Sequence, residues 1–134
     1  IPTEEYLARY RVCDLFLDTF PYNAGTTASD ALWTGLPVLT LMGSSFASRV
    51  AASLLNAIDM PELITSSQEE YEALAIELAK NPEKLNALKA KLAANRLTTP
   101  LFDTPLFTKN LEKAYTQMYE RYQADVEPEH ITIS

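Results

Sequence analysis

Two short apolar runs constrain the fold of this chain more than any other feature of its sequence. The first run is Asp14–Asp18 and the second is Pro37–Leu41, which follows Gly35. Both are bounded by turn formers or acids and are too short for a helix, which is typical of buried parallel strands. Between them, Thr26–Thr34 has apolar residues at helical spacing. The sequence therefore predicts a β-loop-α-β unit.

The same alternation continues along the chain. The apolar stripe of Phe46–Asn56 predicts another helix, and Pro61–Ile64 predicts a third strand. This order predicts an α/β fold with a Rossmann-like parallel sheet. Helical patterns follow, and their starts are marked by a capping box at 67–70, by Asn-Pro at 81–82 and by Thr-Pro at 104–105.

Composition excludes several classes of function. The 134 residues include 11 Lys and Arg against 18 Asp and Glu, a net charge of −7 without a basic cluster, which argues against nucleic-acid binding. One Cys and one His predict neither an internal disulfide nor a usual zinc site. No apolar run is long enough to cross a bilayer and no leader opens the chain, so we expect no membrane insertion and a cytoplasmic, reducing location. The start at Ile1, without Met, suggests a fragment, a trimmed chain or a disordered start.

The glycines and acids exclude common cofactor sites. Gly25, Gly35 and Gly43 fit neither the dinucleotide fingerprint nor the Walker phosphate loop. No Asp-x-Asp pair is present to hold a divalent metal between phosphates. We therefore expect neither a cofactor nor a metal.

The segment 23–30 is the strongest candidate for a ligand site. It follows the carboxyl end of a predicted strand and opens a helix, where open α/β sheets bind ligands. Unpaired N–H groups, the hydroxyls of Thr26 and Thr27 and close approach at Gly25 suit a phosphate, and the Asp30 carboxylate suits a ribose diol. Alternatively, either threonine is only an N-cap and Asp30 complements the helix dipole. These residues alone favour neither hypothesis.

The first eleven residues predict a helix that leads into the first strand. Tyr6 and Arg9 lie three apart on one face, where a ring and a donor could recognise a base. The alternative is a surface helix in which Tyr6 and Tyr10 are half-buried.

A longer run of residues carries a family resemblance. The sequence from Asp14 to Trp33 (DLFLDTFPYNAGTTASDALW) resembles the nucleotide-binding segment of the O-linked N-acetylglucosamine transferases, and bacterial members attached to tetratricopeptide repeats look most similar. Further landmarks resemble the same family along most of the chain: Gly35–Leu39, Ala47–Ser53, Glu69–Tyr71 and Asn95–Phe102.

The resemblance implies a metal-independent, inverting GT-B glycosyltransferase that moves N-acetylglucosamine from UDP-N-acetylglucosamine to Ser or Thr of proteins. This chain would form the later part of the C-terminal, donor-binding lobe. Residues 1–65 would be the nucleotide-binding unit, 66–124 a helical closing segment and 125–134 a tail. The partners implied are a UDP-sugar and, through upstream regions, protein acceptors.

The resemblance also assigns roles by position. Thr26 and Thr27 match the phosphate-contacting pair, Asp30 the ribose acceptor and Tyr6 the ring that stacks on uracil. The backbone of Ile1 and the side chain of Arg9 match other uracil contacts. The sequence departs from the family at two positions of the same site: Gly25 replaces a usual His, and Thr3 replaces a common Lys.

Because the family's acceptor lobe and the Lys that neutralises the leaving diphosphate would lie upstream of Ile1, we expect the fragment alone to be inactive. The strand at 14–18 would lose its neighbour, and the last helix would lose cover from its apolar side, so self-association is expected. The alternative is a binding or assembly module that kept the fold and lost catalysis. Another GT-B protein, such as a sugar-nucleotide epimerase, would not share the run from Asn23 to Trp33.

Overall fold

The computed structural model describes residues 1–133. Its six α-helices and three strands are α1 (Thr3–Ala8), β1 (Phe16–Leu17), α2 (Thr26–Thr34), β2 (Val38–Leu41), α3 (Val50–Ala57), β3 (Ile64–Thr65), α4 (Gln68–Lys80), α5 (Pro82–Asn95) and α6 (Thr104–Gln123). Short 3-10 turns occupy Arg9–Val12, Pro61–Leu63 and Pro100–Phe102.

The three strands form one parallel sheet in the order β1-β2-β3. Phe16 of β1 lies opposite Val38 of β2, and Thr40 of β2 lies opposite Ile64 of β3. Each crossover between neighbouring strands contains a helix, as parallel pairing requires. The predicted α/β fold and its β-loop-α-β unit are confirmed.

The core lies around the central strand. Val38, Leu39 and Thr40 are fully buried, so β2 is covered on both faces, as is usual for parallel sheets. α2 and α3 pack against each other and against β2, and each contributes a fully buried leucine, Leu32 and Leu55. Burying such a side chain contributes roughly 1.5–3 kcal/mol.

The predicted third strand is present, but its predicted bounds were wrong. Pro61–Leu63 is a 3-10 turn, in which the Leu63 N–H donates to Met60 O at 3.2 Å, and β3 comprises Ile64–Thr65. Pro61 explains the difference, because its ring fixes φ at a helical value and it cannot donate to a strand ladder.

Two other elements are shorter than predicted. β1 spans Phe16–Leu17 of the predicted 14–18, and α3 begins at Val50 where Phe46 was predicted. In the segment before α3, the Ser45 N–H donates to Ser48 Oγ at 3.0 Å, and the Ser48 N–H donates to Ser45 Oγ at 3.3 Å. These local bonds hold the chain in turns and compete with a helix.

The chain divides into two compact units, residues 1–101 and the residues from 102 onward. In the second unit, Asp103 caps α6 by accepting a hydrogen bond from the Leu106 N–H at 2.9 Å. Arg121, in the last turn of α6, pairs with Glu129 and donates to the Glu127 carbonyl, so it holds the segment that follows the helix. The division at 65 and 124 stays a prediction.

Candidate functional site

α2 begins with two exposed threonines, Thr26 and Thr27, and the N–H groups of its first turn make no hydrogen bond within the described residues. Gly25 is the N-cap and supplies no side-chain bond, and the first bond closed within the helix runs from the Ser29 N–H to Gly25 O at 3.0 Å. The N–H groups of Thr26, Thr27 and Ala28 therefore have no partner inside the helix. The alternative prediction that Thr26 or Thr27 is only an N-cap was therefore wrong.

Asp30 lies one turn further along α2 and is half-buried. Within residues 1–133 its carboxylate makes no hydrogen bond and no ion pair. Two carboxylate oxygens are therefore left to accept hydrogen bonds from a ligand.

A pair of tyrosines connects α1 to this turn. The hydroxyls of Tyr6 and Tyr10 are 2.7 Å apart, and the rings meet edge to face with centroids 5.5 Å apart. The Tyr10 hydroxyl also donates to the carbonyl of Thr27 at 3.5 Å. Burial raises the pKa of Tyr10, and Tyr6 and the charge of Asp30 raise it further, so the phenol stays neutral. The structure thus brings Tyr6 beside the start of α2.

Tyr10 was predicted only as a half-buried residue of a surface helix. The available signal was its spacing of four residues from Tyr6, which places two side chains on the same helix face.

The other residues predicted to contact the nucleotide near α1 are exposed and make no hydrogen bond to α2 within the described residues. Ile1 precedes α1, Thr3 begins it and Arg9 begins the following 3-10 turn. In the described part of the chain, the Arg9 guanidinium has no hydrogen-bond or ion-pair partner. It is therefore available to a ligand.

Gly25 has room for a side chain. A Cβ built there would meet Val50 Cγ1 at 3.7 Å, an ordinary van der Waals contact, and its φ of −110° lies outside the left-handed region. Neither space nor φ requires glycine at this position.

A buried polar network holds the segment that leads into α2. The Asp18 carboxylate accepts hydrogen bonds from Asn23 Nδ2 at 2.7 Å, the Ala24 N–H at 2.8 Å and the Thr40 hydroxyl at 2.7 Å. Asp18, Asn23 and Thr40 are exposed by only 1%, 3% and 0%. Hydrogen bonds to an ionised carboxylate are shorter and stronger than neutral ones. This network ties the end of β1 to β2 and to the N-cap segment.

This network was not predicted from the sequence. The one available signal was Thr40, a polar residue within the apolar run of the central strand. Asp18 and Asn23 lie five residues apart in a turn-rich segment, and only the fold brings their side chains together.

The described residues hold no metal cluster and no membrane span. No three His, Cys, Asp or Glu side chains in residues 1–133 are placed to hold a metal ion. Over the same range, every helix is too short or too polar to cross a membrane.

Comparison with known proteins identifies the family. The model of glycosyl transferase family 41 matches residues 1–111. The probable UDP-N-acetylglucosamine–peptide N-acetylglucosaminyltransferase SEC of Arabidopsis thaliana is 42% identical over 130 residues, which are 96% of this chain and 13% of that protein. The UDP-N-acetylglucosamine–peptide N-acetylglucosaminyltransferase of Caenorhabditis elegans is 37% identical over 129 residues, which are 96% of this chain and 11% of that protein.

A solved structure gives the same result. A mutant O-GlcNAc transferase of Thermobaculum terrenum superposes with a TM-score of 0.83 at 38% identity, over 89% of this chain and 23% of that one. The chain thus spans a small part of the length of its relatives. It belongs to glycosyl transferase family 41.

Proposed function

We propose that this chain is the UDP-binding part of the donor site of a UDP-N-acetylglucosamine–peptide N-acetylglucosaminyltransferase. The observation that carries the proposal is the first turn of α2, which is exposed, has unpaired N–H groups and is followed by an unpaired carboxylate at Asp30. The names of the family relatives supply the substrate class.

The diphosphate of UDP suits the start of α2. The N–H groups of Thr26 and Thr27 lie at the positive end of the helix dipole, and their hydroxyls are further donors. Asp30 would repel a phosphate in direct contact, but one helical turn separates it by about 5.4 Å along the axis. At that distance its carboxylate would accept both hydroxyls of the ribose.

The uracil would lie beside α1. Tyr6 offers a half-buried ring for stacking, and the exposed Arg9 guanidinium and the Ile1 backbone offer polar contacts. Tyr10 holds Tyr6 next to the carbonyl of Thr27. One nucleotide could therefore contact both helices. Thr3 adds a hydroxyl, but not the charge of the Lys that is common in the family.

In an inverting transfer the acceptor hydroxyl attacks the anomeric carbon while UDP departs. Negative charge then grows on the diphosphate, and N–H groups that are already aligned stabilise it without reorganising. The residues of this chain need no metal for that task. The acceptor site and the charge-neutralising Lys would come from regions upstream, and so the 134-residue chain alone should not transfer sugar.

The glycine at position 25 favours a second candidate, a nucleotide-sugar-binding or assembly module without catalysis. Since a side chain fits there, Gly25→His in the complete protein separates the two. A large gain in turnover with little change in UDP affinity would support the non-catalytic module. Measurable wild-type turnover that the variant does not exceed would support an enzyme, and turnover in neither protein would also support the module.

A titration of the isotope-labelled chain with UDP tests the site. We expect amide shifts at 25–30 and around Tyr6 and Arg9. Shifts confined to α4 and α5, with 25–30 unmoved, would reject the assignment. Uridine should shift the α1 residues and leave Thr26 and Thr27 nearly unchanged.

Two expectations for the isolated chain have direct tests. Radiolabelled donor should leave no sugar on a Ser/Thr peptide when the chain is highly purified. Within residues 1–133, β1 pairs only with β2, and Leu17 is 53% exposed, so sedimentation at micromolar concentration should show self-association. A single species of monomer mass would contradict the second expectation.

A further inference from the structure

The buried network of Asp18, Asn23 and Thr40 fixes the backbone that leads into α2. Asn23 Nδ2 has three acceptors: Asp18 Oδ2 at 2.7 Å, Thr40 Oγ1 at 3.0 Å and the Leu41 carbonyl at 3.0 Å. The Asn23 N–H donates to Ala47 O at 3.3 Å. One residue thus links the carboxyl ends of β1 and β2 with the segment before α3.

The amide of Asn23 is oriented by its donors. Its Oδ1 is buried and has no hydrogen-bond partner within the described residues. Leaving a buried acceptor unpaired costs free energy. The opposite orientation of the amide would be less favourable. It would place Oδ1 against the Asp18 carboxylate, the Leu41 carbonyl and Thr40 Oγ1, all of which are oxygen acceptors.

The network fixes the residue immediately before the N-cap. Asp18 Oδ1 accepts from the Ala24 N–H at 2.8 Å, and Gly25 follows as the N-cap of α2. From the other side, the Tyr71 hydroxyl donates to the Asp18 carbonyl at 2.9 Å. The backbone from Asn23 to Gly25 is therefore set by buried side chains of the sheet, and it sets the direction of the unpaired N–H groups of Thr26 and Thr27.

We propose that Asp18, Asn23 and Thr40 are positioning residues for the diphosphate of UDP: they aim the first turn of α2 and do not touch the nucleotide. This inference rests on the proposed donor site and adds residues that the site itself does not include. Groups that are held in place before binding pay less ordering cost on binding. The phosphate end should depend on the network, and the uracil end on α1 should not.

Thr40→Val tests the proposal, because it removes one hydroxyl donor and keeps a β-branched side chain of similar size in the strand. Thr65→Val is the matched control: its hydroxyl is also buried, and it donates to the carbonyl of Thr40 at 2.9 Å without reaching Asp18. Thr40→Ser should restore the bond. The three variants and the wild type are titrated with UDP and with uridine in the complete protein.

In Thr40→Val we expect a loss of UDP affinity of about tenfold, with uridine affinity within about twofold. Thr65→Val should lose stability without changing the ratio of the two affinities, and Thr40→Ser should resemble the wild type. Amide exchange at Ala24, measured without ligand, should be faster in Thr40→Val and unchanged in Thr65→Val.

Four outcomes distinguish failure of the positioning role from failure of the donor site. Equal losses of UDP and uridine affinity in Thr40→Val, or an unchanged UDP affinity, would overturn the positioning role while the donor site stands. Unchanged exchange at Ala24 would overturn it as well. A wild type whose amides at 25–30 do not respond to UDP would overturn the proposed site, and the positioning role with it.

Discussion

α2 and α3 follow neighbouring strands of the sheet in the same way, but their first turns differ in exposure and polarity. Each follows a parallel strand, and each packs into the core through a leucine with 0% exposure. α2 opens with two exposed threonines after a glycine N-cap. α3 opens with Arg49 as N-cap, followed by half-buried Val50 and buried residues.

The segments before the two helices differ in the same way. Before α3, the hydroxyls of Ser45 and Ser48 bond each other at 2.9 Å, and the Arg49 guanidinium donates to Gly43 O at 3.3 Å. These polar groups satisfy one another locally. Before α2, the buried Asp18 carboxylate accepts the hydrogen bond of the Ala24 N–H. No side chain caps the N–H groups in the first turn of α2. A position at the carboxyl end of a strand therefore does not by itself leave the first turn of the following helix exposed and polar.

The largest expected effect tests whether the two helices are equal in packing. Leu32→Ala and Leu55→Ala should each lower the free energy of unfolding by about 2–5 kcal/mol, because each leaves a cavity in the core. Urea denaturation measures this. Leu97→Ala, at a residue that is 73% exposed, should change it by less than about 0.5 kcal/mol. If only one core variant is destabilised, the helices differ in packing as well as in their first turns.

The next effect concerns Asp30 of α2, which has no acidic counterpart in α3. Asp30→Ala in the complete protein should weaken UDP binding by about 10- to 100-fold, because two hydrogen bonds to an ionised group are lost. Glu69→Ala removes an exposed acid from α4 and should leave the affinity unchanged. Calorimetric titration distinguishes them. Equal effects in the two variants would mean that net charge, and not the site, controls binding.

The two glycines before these helices should respond differently to alanine. At Gly43 a Cβ would lie 2.5 Å from Ser48 Oγ and 2.8 Å from Ser48 Cβ, so Gly43→Ala should cost about 1–3 kcal/mol of unfolding free energy. Gly25→Ala should cost much less, because its Cβ would make an ordinary contact. Urea denaturation measures the unfolding free energy of both variants. A larger loss for Gly25→Ala than for Gly43→Ala would contradict the finding that Gly43 has less room for a side chain.

The smallest effect concerns a single hydroxyl. Thr27→Val should weaken UDP binding by about three- to tenfold and leave uridine binding unchanged, because one donor to a phosphate is removed. Ser53→Ala removes an exposed hydroxyl near the start of α3 and should change neither affinity. If Ser53→Ala weakens UDP binding as much, the distinction between the two first turns fails.

Several features could be predicted from local sequence. The bounds of α2 were predicted correctly, because its residues favour a helix and Gly35 ends it in a left-handed conformation with φ of 91°. The N-cap roles of Ser67 and Asn81 were also predicted correctly, since each depends on a side chain bonding a backbone three residues away. The third strand begins later than predicted, at Ile64, because Pro61 starts a 3-10 turn where the apolar pattern suggested extended chain.

The sequence by itself determined the parallel α/β order and the starts of α2, α4, α5 and α6, because these depend on neighbours in the chain, and a recognisable run of residues indicated the family. Only the tertiary structure decided which side chains meet: Asp18, Asn23 and Thr40 across two strands, Tyr10 against Thr27, and Tyr71 against Asp18. Those contacts join residues 17 to 53 positions apart, apart from Asp18 and Asn23, which are five apart in a turn. Local propensity and spacing contain no information on such pairs; the packing of the sheet and helices does.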